Sequence, residues 1–157
     1  MRKVFLALWF FALWPAQADA ADGAADANAM ASPATSDCRE GTLYSELGCL
    51  EGTTRMVEAI IVEVKADQRI AYLFENTDWD YLRDRLVEQI CELSGGGCEY
   101  TGLPMPDAHS GMAITRAEFN WFVEDTERGM TKAGVPLATQ NRLLALLAKM
   151  HGDVVGH

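Results

Sequence analysis

The sequence predicts an all-α protein whose helices are interrupted by one long, glycine-rich connection. Apolar residues recur at steps of three and four in several segments, which is the spacing of a helix with one buried face. The most β-branched of these segments, which starts at Thr53, lacks the alternation of polar and apolar residues that a half-buried strand shows. Glycine and proline mark the ends of the segments, and we expect five or six helices in one compact domain.

The first 20 residues have the three parts of a secretory signal peptide. Arg2 and Lys3 precede an apolar run over residues 4–14, and Ala18-Asp19-Ala20 provides the small residues of a cleavage site. The run is about eleven residues long, shorter than the ~20 that a membrane-spanning helix needs, so a retained anchor is the weaker alternative. We therefore expect a protein that is exported to the periplasm or secreted.

A flexible spacer is expected between the signal peptide and the folded domain. Residues 21–37 are rich in Ala and Asp and contain almost nothing large and apolar, so they bury too little surface to offset the entropy of ordering. Residues 38–157 form the expected domain, and their number is sufficient for a single hydrophobic core.

Spacing and end signals predict the helices of the first half. Residues 42–47 suit a short helix that ends at Gly48. A long helix follows from Thr53, and after it a short turn at residues 69–74. Asp78 can cap the next long helix, which the glycines at 95–97 end. The apolar stripes of the two long helices are Met56, Val57, Ile60, Ile61 and Val64, and Trp79, Leu82, Leu86, Ile90 and Leu93.

The second half contains two further helices after the glycine-rich connection. Thr115 precedes Glu118 by three residues, the signature of a capping box. Gly134 and Pro136 separate this helix from a final one that extends to Met150. Residues 95–114, here called the connecting segment, hold Pro, Gly, Ser and one of the three histidines of the chain, His109. Connections of this length usually carry function.

The charge of the chain excludes some classes of partner. The full sequence has 13 basic and 23 acidic residues, and removal of Arg2, Lys3 and Asp19 with the signal leaves 11 and 22, a net charge of −11. Such a chain is repelled by nucleic acid and by anionic membranes. We expect neither nucleic acid nor, after signal cleavage, a membrane as a partner.

The four cysteines, Cys38, Cys49, Cys91 and Cys98, are expected to form disulfides, because thiols commonly pair in exported proteins. Three connectivities are possible, and we favour the two local pairs, Cys38–Cys49 and Cys91–Cys98. The spacings contain no Cys-x-x-Cys, which argues against a zinc site. The absence of Cys-x-x-Cys-His also argues against covalent attachment of a c-type haem.

In order and spacing, residues 43–155 resemble the truncated globins of group I, small haem proteins with a two-over-two helical sandwich. The matching residues are Leu43-Tyr44, Leu47-Gly48, Ala66-Asp67-x-Arg69-Ile70, Phe74, Gly95-Gly96, Tyr100-x-Gly102, Met105, Ala108-His109-x-Gly111, Ile114-Thr115, Phe119 and Ala133-Gly134-Val135-Pro136. Each match is weak alone, and the combination is specific. The resemblance implies non-covalently bound haem b as cofactor.

The resemblance also implies roles for single residues. His109 matches the proximal histidine that binds the haem iron, and a neutral imidazole is a good ligand for iron. Phe74 matches a phenylalanine that packs on the haem face, Met105 and Ile114 match apolar contacts on the proximal side, and Tyr100 matches the bend before the iron ligand. His151 and His157 are not expected as iron ligands.

The distal side departs from the family pattern. Where many group I members place Phe-Tyr, with a tyrosine that donates a hydrogen bond to the bound gas, this chain has Ile60-Ile61. The positions that usually hold glutamine or another polar group are Leu82 and Leu86. Loss of such a hydrogen bond removes ~1.5–3 kcal/mol and should speed oxygen release roughly ten- to a hundredfold.

Two further side chains are candidates for contact with the cofactor. Arg85 can reach a haem propionate, because a guanidinium pairs well with a carboxylate; the alternative is a solvated charge among Asp80, Arg83, Asp84 and Glu88. Phe122 is expected to project into the distal cavity and to narrow it to diatomic ligands.

These expectations together predict a haem protein that binds O2, CO or NO at an iron held by His109, with an apolar distal pocket. One alternative is an enzyme that removes NO or acts like a peroxidase, although the acid–base group that peroxide cleavage needs is not visible. Another is a haem-free helical interaction protein. The sequence does not identify a reductase, and we expect a monomer or weak oligomer.

Overall fold

The computed structural model describes residues 38–157, so the predicted signal peptide and spacer lie outside the described residues. Every regular element within 38–157 is helical, which confirms the predicted all-α class. The elements are α1 (Leu43–Glu46), α2 (Cys49–Ala66), a 3₁₀ turn (Ala71–Phe74), α3 (Trp79–Ser94), α4 (Met105–Ala108), α5 (Arg116–Lys132), α6 (Leu137–Leu147), a second 3₁₀ turn (Ala148–Met150) and α7 (His151–Val154).

Helix α2 lies at the centre of the domain and packs against both α5 and α3. Its apolar stripe is almost fully excluded from solvent and forms most of the core with side chains from the neighbouring elements. The buried core residues are Leu43, Leu47, Met56, Val57, Ile60, Ile61, Val64, Ile70, Val87, Ile90, Met130 and Leu143.

A glycine allows α2 and α5 to approach closely. A Cβ atom added to Gly129 of α5 would lie 2.5 Å from the Cα atom of Ile60 in α2. Only a residue without a side chain fits between the two backbones at this distance.

The predicted helix caps are confirmed. The Asp78 carboxylate accepts hydrogen bonds from the backbone N–H groups of Asp80 and Tyr81 at the start of α3. At the start of α5, Thr115 and Glu118 form the complete capping box, with each side chain bonded to the backbone of the other residue. These bonds satisfy N–H groups that have no partner within a helix.

The number and bounds of the helices differ from the expectation of five or six. Helix α2 begins at Cys49 instead of Thr53, directly after Gly48, whose φ of 84° is left-handed. One-turn elements appear as α4 and as the 3₁₀ turn and α7 that follow α6. These three elements are too short to show a hydrophobic period and are not predicted, whereas α1 and the first 3₁₀ turn, which are equally short, lie within the segments 42–47 and 69–74 that the sequence predicts.

Both favoured disulfides are confirmed. Cys38–Cys49 joins the first described residue to the start of α2, with a Cα–Cα distance of 5.6 Å. Cys91–Cys98 joins the last turn of α3 to the connecting segment, with a Cα–Cα distance of 5.7 Å. None of the helices in the described part of the chain is long and apolar enough to cross a membrane.

We expect Gly129→Ala to lower the free energy of unfolding by about 3 kcal/mol, because the added methyl group forces α2 and α5 apart. Gly152→Ala in α7 is the matched control, because nothing lies within 4 Å of a Cβ atom at that position. The control should be neutral or slightly stabilising. Urea unfolding followed by circular dichroism measures both, and equal midpoints for the two variants would contradict the close approach.

Candidate functional site

A cavity of about 600 Å³ lies between α2, α3, α5 and the connecting segment. The sequence-predicted site residues all line it, although three elements, the first 3₁₀ turn, α3 and α5, and the connecting segment supply them. They are Phe74, Leu82, Arg85, Leu86, Tyr100, Met105, His109, Ile114 and Phe122. Ile60 also lines the cavity, whereas the side chain of Ile61 belongs to the buried core beside it.

His109 is placed at the cavity by α4, whose C-terminal cap it forms. Its Nδ1 atom lies 2.8 Å from the backbone oxygen of Met105. Because a carbonyl oxygen only accepts hydrogen bonds, Nδ1 carries a proton, and in the neutral ring the lone pair is then on Nε2. This is the tautomer in which histidine binds a metal through Nε2 while a backbone carbonyl orients the ring.

The residues that follow His109 are held by the C-terminal part of the described chain. The backbone N–H of Ala113 donates to the oxygen of His157 at 2.6 Å, and the N–H of Gly156 donates to the oxygen of Ile114 at 3.0 Å. Ala113 has a φ of 50°, a conformation that few residues other than glycine adopt. The pairing with residues 156–157 therefore maintains a strained backbone close to His109.

The residues before His109 are attached to α3 by covalent and polar contacts. Besides the Cys91–Cys98 disulfide, Glu92 accepts from the Tyr100 N–H at 3.2 Å. Glu88 accepts from the N–H and the hydroxyl of Thr101, at 3.1 and 2.9 Å. From the sequence, Glu88 is expected only as one of the surface charges near Arg85, because a glutamate on a helix gives no signal of a distant partner.

Arg85 lies at the cavity wall within the same set of contacts. It donates to Glu88 at 2.7 Å and to the hydroxyl of Thr101, and its guanidinium lies 5.3 Å from the centre of the Tyr81 ring. Its Nε atom is buried and has no hydrogen-bond partner among the described residues. A buried, unpaired donor on a cation is suited to an acidic group of a ligand.

Aromatic rings form one wall of the cavity. Phe74 stacks on Trp79 with ring centres 5.5 Å apart and on Phe122 at 6.4 Å. Trp79 was expected only as part of a helix stripe, and the structure shows that it supports Phe74.

Several polar groups at the cavity wall already have partners within the protein. The Tyr100 hydroxyl donates to the Leu103 oxygen at 3.1 Å, and the Thr126 hydroxyl donates to the Phe122 oxygen at 2.9 Å. Burial raises the pKa of Tyr100 above its ordinary value, so this phenol stays protonated at neutral pH.

Glu118, another polar residue of the wall, is likewise bonded. Its carboxylate accepts from the hydroxyl of Tyr72 and from the backbone and side chain of Thr115. The hydrogen bonds, that from Tyr72 first, lower the pKa of Glu118. The carboxylate therefore stays ionised at neutral pH and is not a proton donor to the cavity.

Haem, the cofactor that the resemblance implies, fits this cavity on three observations. The volume lies within the range of small-molecule sites. His109 presents a free nitrogen from a fixed ring, and Arg85 presents an unpaired buried donor for an acidic substituent. The remaining wall is largely aliphatic and aromatic, as a flat apolar macrocycle requires.

The other histidines have contacts that separate them from this role. His151 packs edge-on against Phe119, with ring centres 4.8 Å apart. His157 lies 3.1 Å from the backbone oxygen of Gly152 and does not line the cavity. The individual roles of the nine site residues that the sequence predicts stay a prediction.

Comparison with known proteins identifies relatives over nearly the whole described domain. The profile of the family described as bacterial-like globin matches residues 42–155. The group 1 truncated hemoglobin of Mycolicibacterium paratuberculosis is 30% identical over 113 residues, 72% of this chain and 83% of that protein. The group 1 truncated hemoglobin of Tetrahymena pyriformis is 28% identical and covers 73% of this chain and 95% of that protein.

Solved structures show the same architecture. The truncated hemoglobin from Tetrahymena pyriformis in its Fe(III) form aligns with a TM-score of 0.71 at 28% identity, over 74% of this chain and 99% of that chain. The 2/2 hemoglobin from Synechococcus sp. aligns with a TM-score of 0.69 at 21% identity, over 74% of this chain and all of that chain, and shows similarity of fold. The predicted fold class is confirmed.

Proposed function

Because the chain belongs to the bacterial-like globin family as a group 1 truncated haemoglobin, we propose that it binds haem b through His109 and admits small neutral gases to an apolar distal pocket. The observation that carries this proposal is the free Nε2 of His109 at a cavity of about 600 Å³. When bound, haem supplies an iron centre that takes O2, CO or NO as a ligand.

The chain contributes the axial ligand and its orientation. The bond from His109 Nδ1 to the Met105 oxygen fixes the orientation of the ring, so that Nε2 is presented to the cavity. Arg85 supplies the positive charge that a haem propionate requires. Its Nε atom can donate to the propionate, because Glu88 and Thr101 accept hydrogen bonds only from the other two nitrogens of the guanidinium.

The chain also determines which gases are favoured. At the positions where the family resemblance places the distal donors, this chain has Ile60 with Ile61, Leu82 and Leu86, none of which donates a hydrogen bond. A pocket of this kind favours neutral ligands that need no donor, CO and NO, over O2 and over anions.

Peroxide cleavage needs an acid–base group, and Tyr100, Thr126 and Glu118 are bonded within the protein, so gas binding is the better-supported function.

We also propose that the protein acts outside the cytoplasm, in the periplasm or after secretion. The formation of two disulfides from the four cysteines supports this location, as does the signal-like sequence of residues 1–20. Its redox partner is then an extracytoplasmic reductant.

The location predicts the start of the mature protein. After expression of the full chain in a bacterial host, the intact mass of the periplasmic protein should correspond to residues 21–157 with all four thiols oxidised. Mass spectrometry before and after alkylation measures both features. Recovery of a full-length, fully alkylated chain would contradict export.

Removal of the proposed ligand should abolish haem retention. We expect His109→Gly to bind haem at least about 100-fold more weakly, because the metal loses its protein ligand, and added imidazole should restore the spectrum. The measurement is the absorption spectrum of the dithionite-reduced protein with and without CO. His151→Ala is the control, because that ring packs on Phe119, and its spectrum should equal that of the wild type.

The outcomes of this experiment separate the candidate functions. An unchanged spectrum in His109→Gly would show that another residue binds the iron. A wild-type protein without a Soret band after haem addition would instead overturn the haem assignment and support the haem-free interaction protein.

A donor placed in the distal pocket should slow the release of oxygen. We expect Leu86→Gln to reduce the oxygen dissociation rate ten- to a hundredfold, because an amide hydrogen bond to a partly charged ligand is worth about 1.5–3 kcal/mol. Leu86→Met, which keeps the site apolar and of similar volume, is the control and should leave the rate little changed. Stopped-flow mixing with CO measures it, and equal rates in both variants would show that Leu86 does not face the gas.

A further inference from the structure

Gln89 is a buried polar residue at the cavity that the functions proposed above do not use. It lies on α3, lines the cavity, and is 8% exposed. Its Nε2 atom lies 3.3 Å from the sulfur of Met105 and 3.6 Å from the sulfur of Met150. Thioether sulfur is a weak hydrogen-bond acceptor.

The contacts of Gln89 contribute little to the stability of the fold. A buried amide whose N–H groups meet only weak acceptors contributes less than an aliphatic side chain of the same size. Gln140 shows the contrast: it is 5% exposed, and its Nε2 donates to the Val135 oxygen at 2.8 Å and to the Thr131 hydroxyl at 3.3 Å. The amide of Gln140 is satisfied by oxygen acceptors, whereas the amide of Gln89 joins two sulfurs.

The two sulfurs belong to elements that surround the iron ligand. Met105 is the first residue of α4, and its backbone oxygen is the acceptor that orients His109. Met150 ends the 3₁₀ turn before α7, the helix that contacts α4. Gln89 therefore connects α3, α4 and the C-terminal turn at one point.

Helix α4 needs such an anchor. It has only four residues, none of them fully buried, and Gly102 and Gly111 flank it. A helix of this length is not stable on its own, so its orientation depends on contacts with other elements.

We propose that Gln89 is a positioning residue for His109 and acts through Met105. By holding the Met105 side chain, the amide fixes the first residue of α4, the carbonyl at that residue and thus the angle of the His109 ring in the cavity. This inference rests on the proposed function, because it concerns the strength of the bond between His109 and the haem iron.

The first experiment compares Gln89→Leu with Gln140→Leu as a matched control. In Gln89→Leu we expect a shift of the iron–histidine stretching frequency in resonance Raman spectra of the ferrous protein and about tenfold faster loss of haem to an apoglobin acceptor. The Tm of the haem-free protein should be unchanged or higher, because an amide with weak acceptors is removed. In Gln140→Leu the Tm should fall, with the frequency and the haem-loss rate unchanged.

The second experiment tests whether the effect passes through Met105. Met105→Leu removes the sulfur and keeps the backbone carbonyl that His109 uses. We expect it to shift the frequency in the same direction as Gln89→Leu, and the double variant should shift it no further than either single variant, because the two residues act as one unit. Additive shifts would overturn the route through Met105.

The remaining outcomes separate this inference from the proposed function. A wild-type frequency and haem-loss rate in Gln89→Leu would overturn the positioning role while leaving haem binding intact. An equal shift in Gln140→Leu would also overturn it, because the shift would then follow general loosening of the fold. A wild-type protein that takes up no haem would overturn the proposed function, and this is decided from its own spectrum before any variant is made.

Discussion

The close packing of α2 against α5 is the constraint on which the other features depend. The two backbones approach where Gly129 meets Ile60, and Ile60 also lines the cavity. A shift of α5 away from α2 would move Phe122, whose ring stacks on Phe74. The volume and the aromatic wall of the cavity are therefore consequences of a contact in which one residue has no side chain.

The segment with His109 has little regular structure of its own, and the rest of the domain holds it from two ends. Before the histidine, the Cys91–Cys98 disulfide and the carboxylates of Glu88 and Glu92 attach it to α3. After the histidine, residues 113–114 pair with residues 156–157. A one-turn helix whose ends are fixed can hold the His109 ring in one orientation, which a free loop of the same composition cannot do.

The helices and their caps could be predicted from the sequence because their signals are local. Thr115 and Glu118 bond to each other within one turn, and the stripe that starts at Met56 needs only its own spacing. The residues around the cavity were predicted through resemblance to a family, not through any local pattern. Contacts of Gln89 with two methionines, 16 and 61 positions away, have no local signal and appear only when the chain is folded.

The negative charge of the chain and the apolar wall of the cavity affect different classes of ligand. A net charge of −10 over the full sequence favours solubility and repels anions and anionic surfaces. A neutral diatomic gas has no net charge for this field to act on, so its access is governed by the cavity wall alone. The surface can thus carry a large negative charge without a cost to the binding of a neutral gas, while it disfavours the approach of an anion.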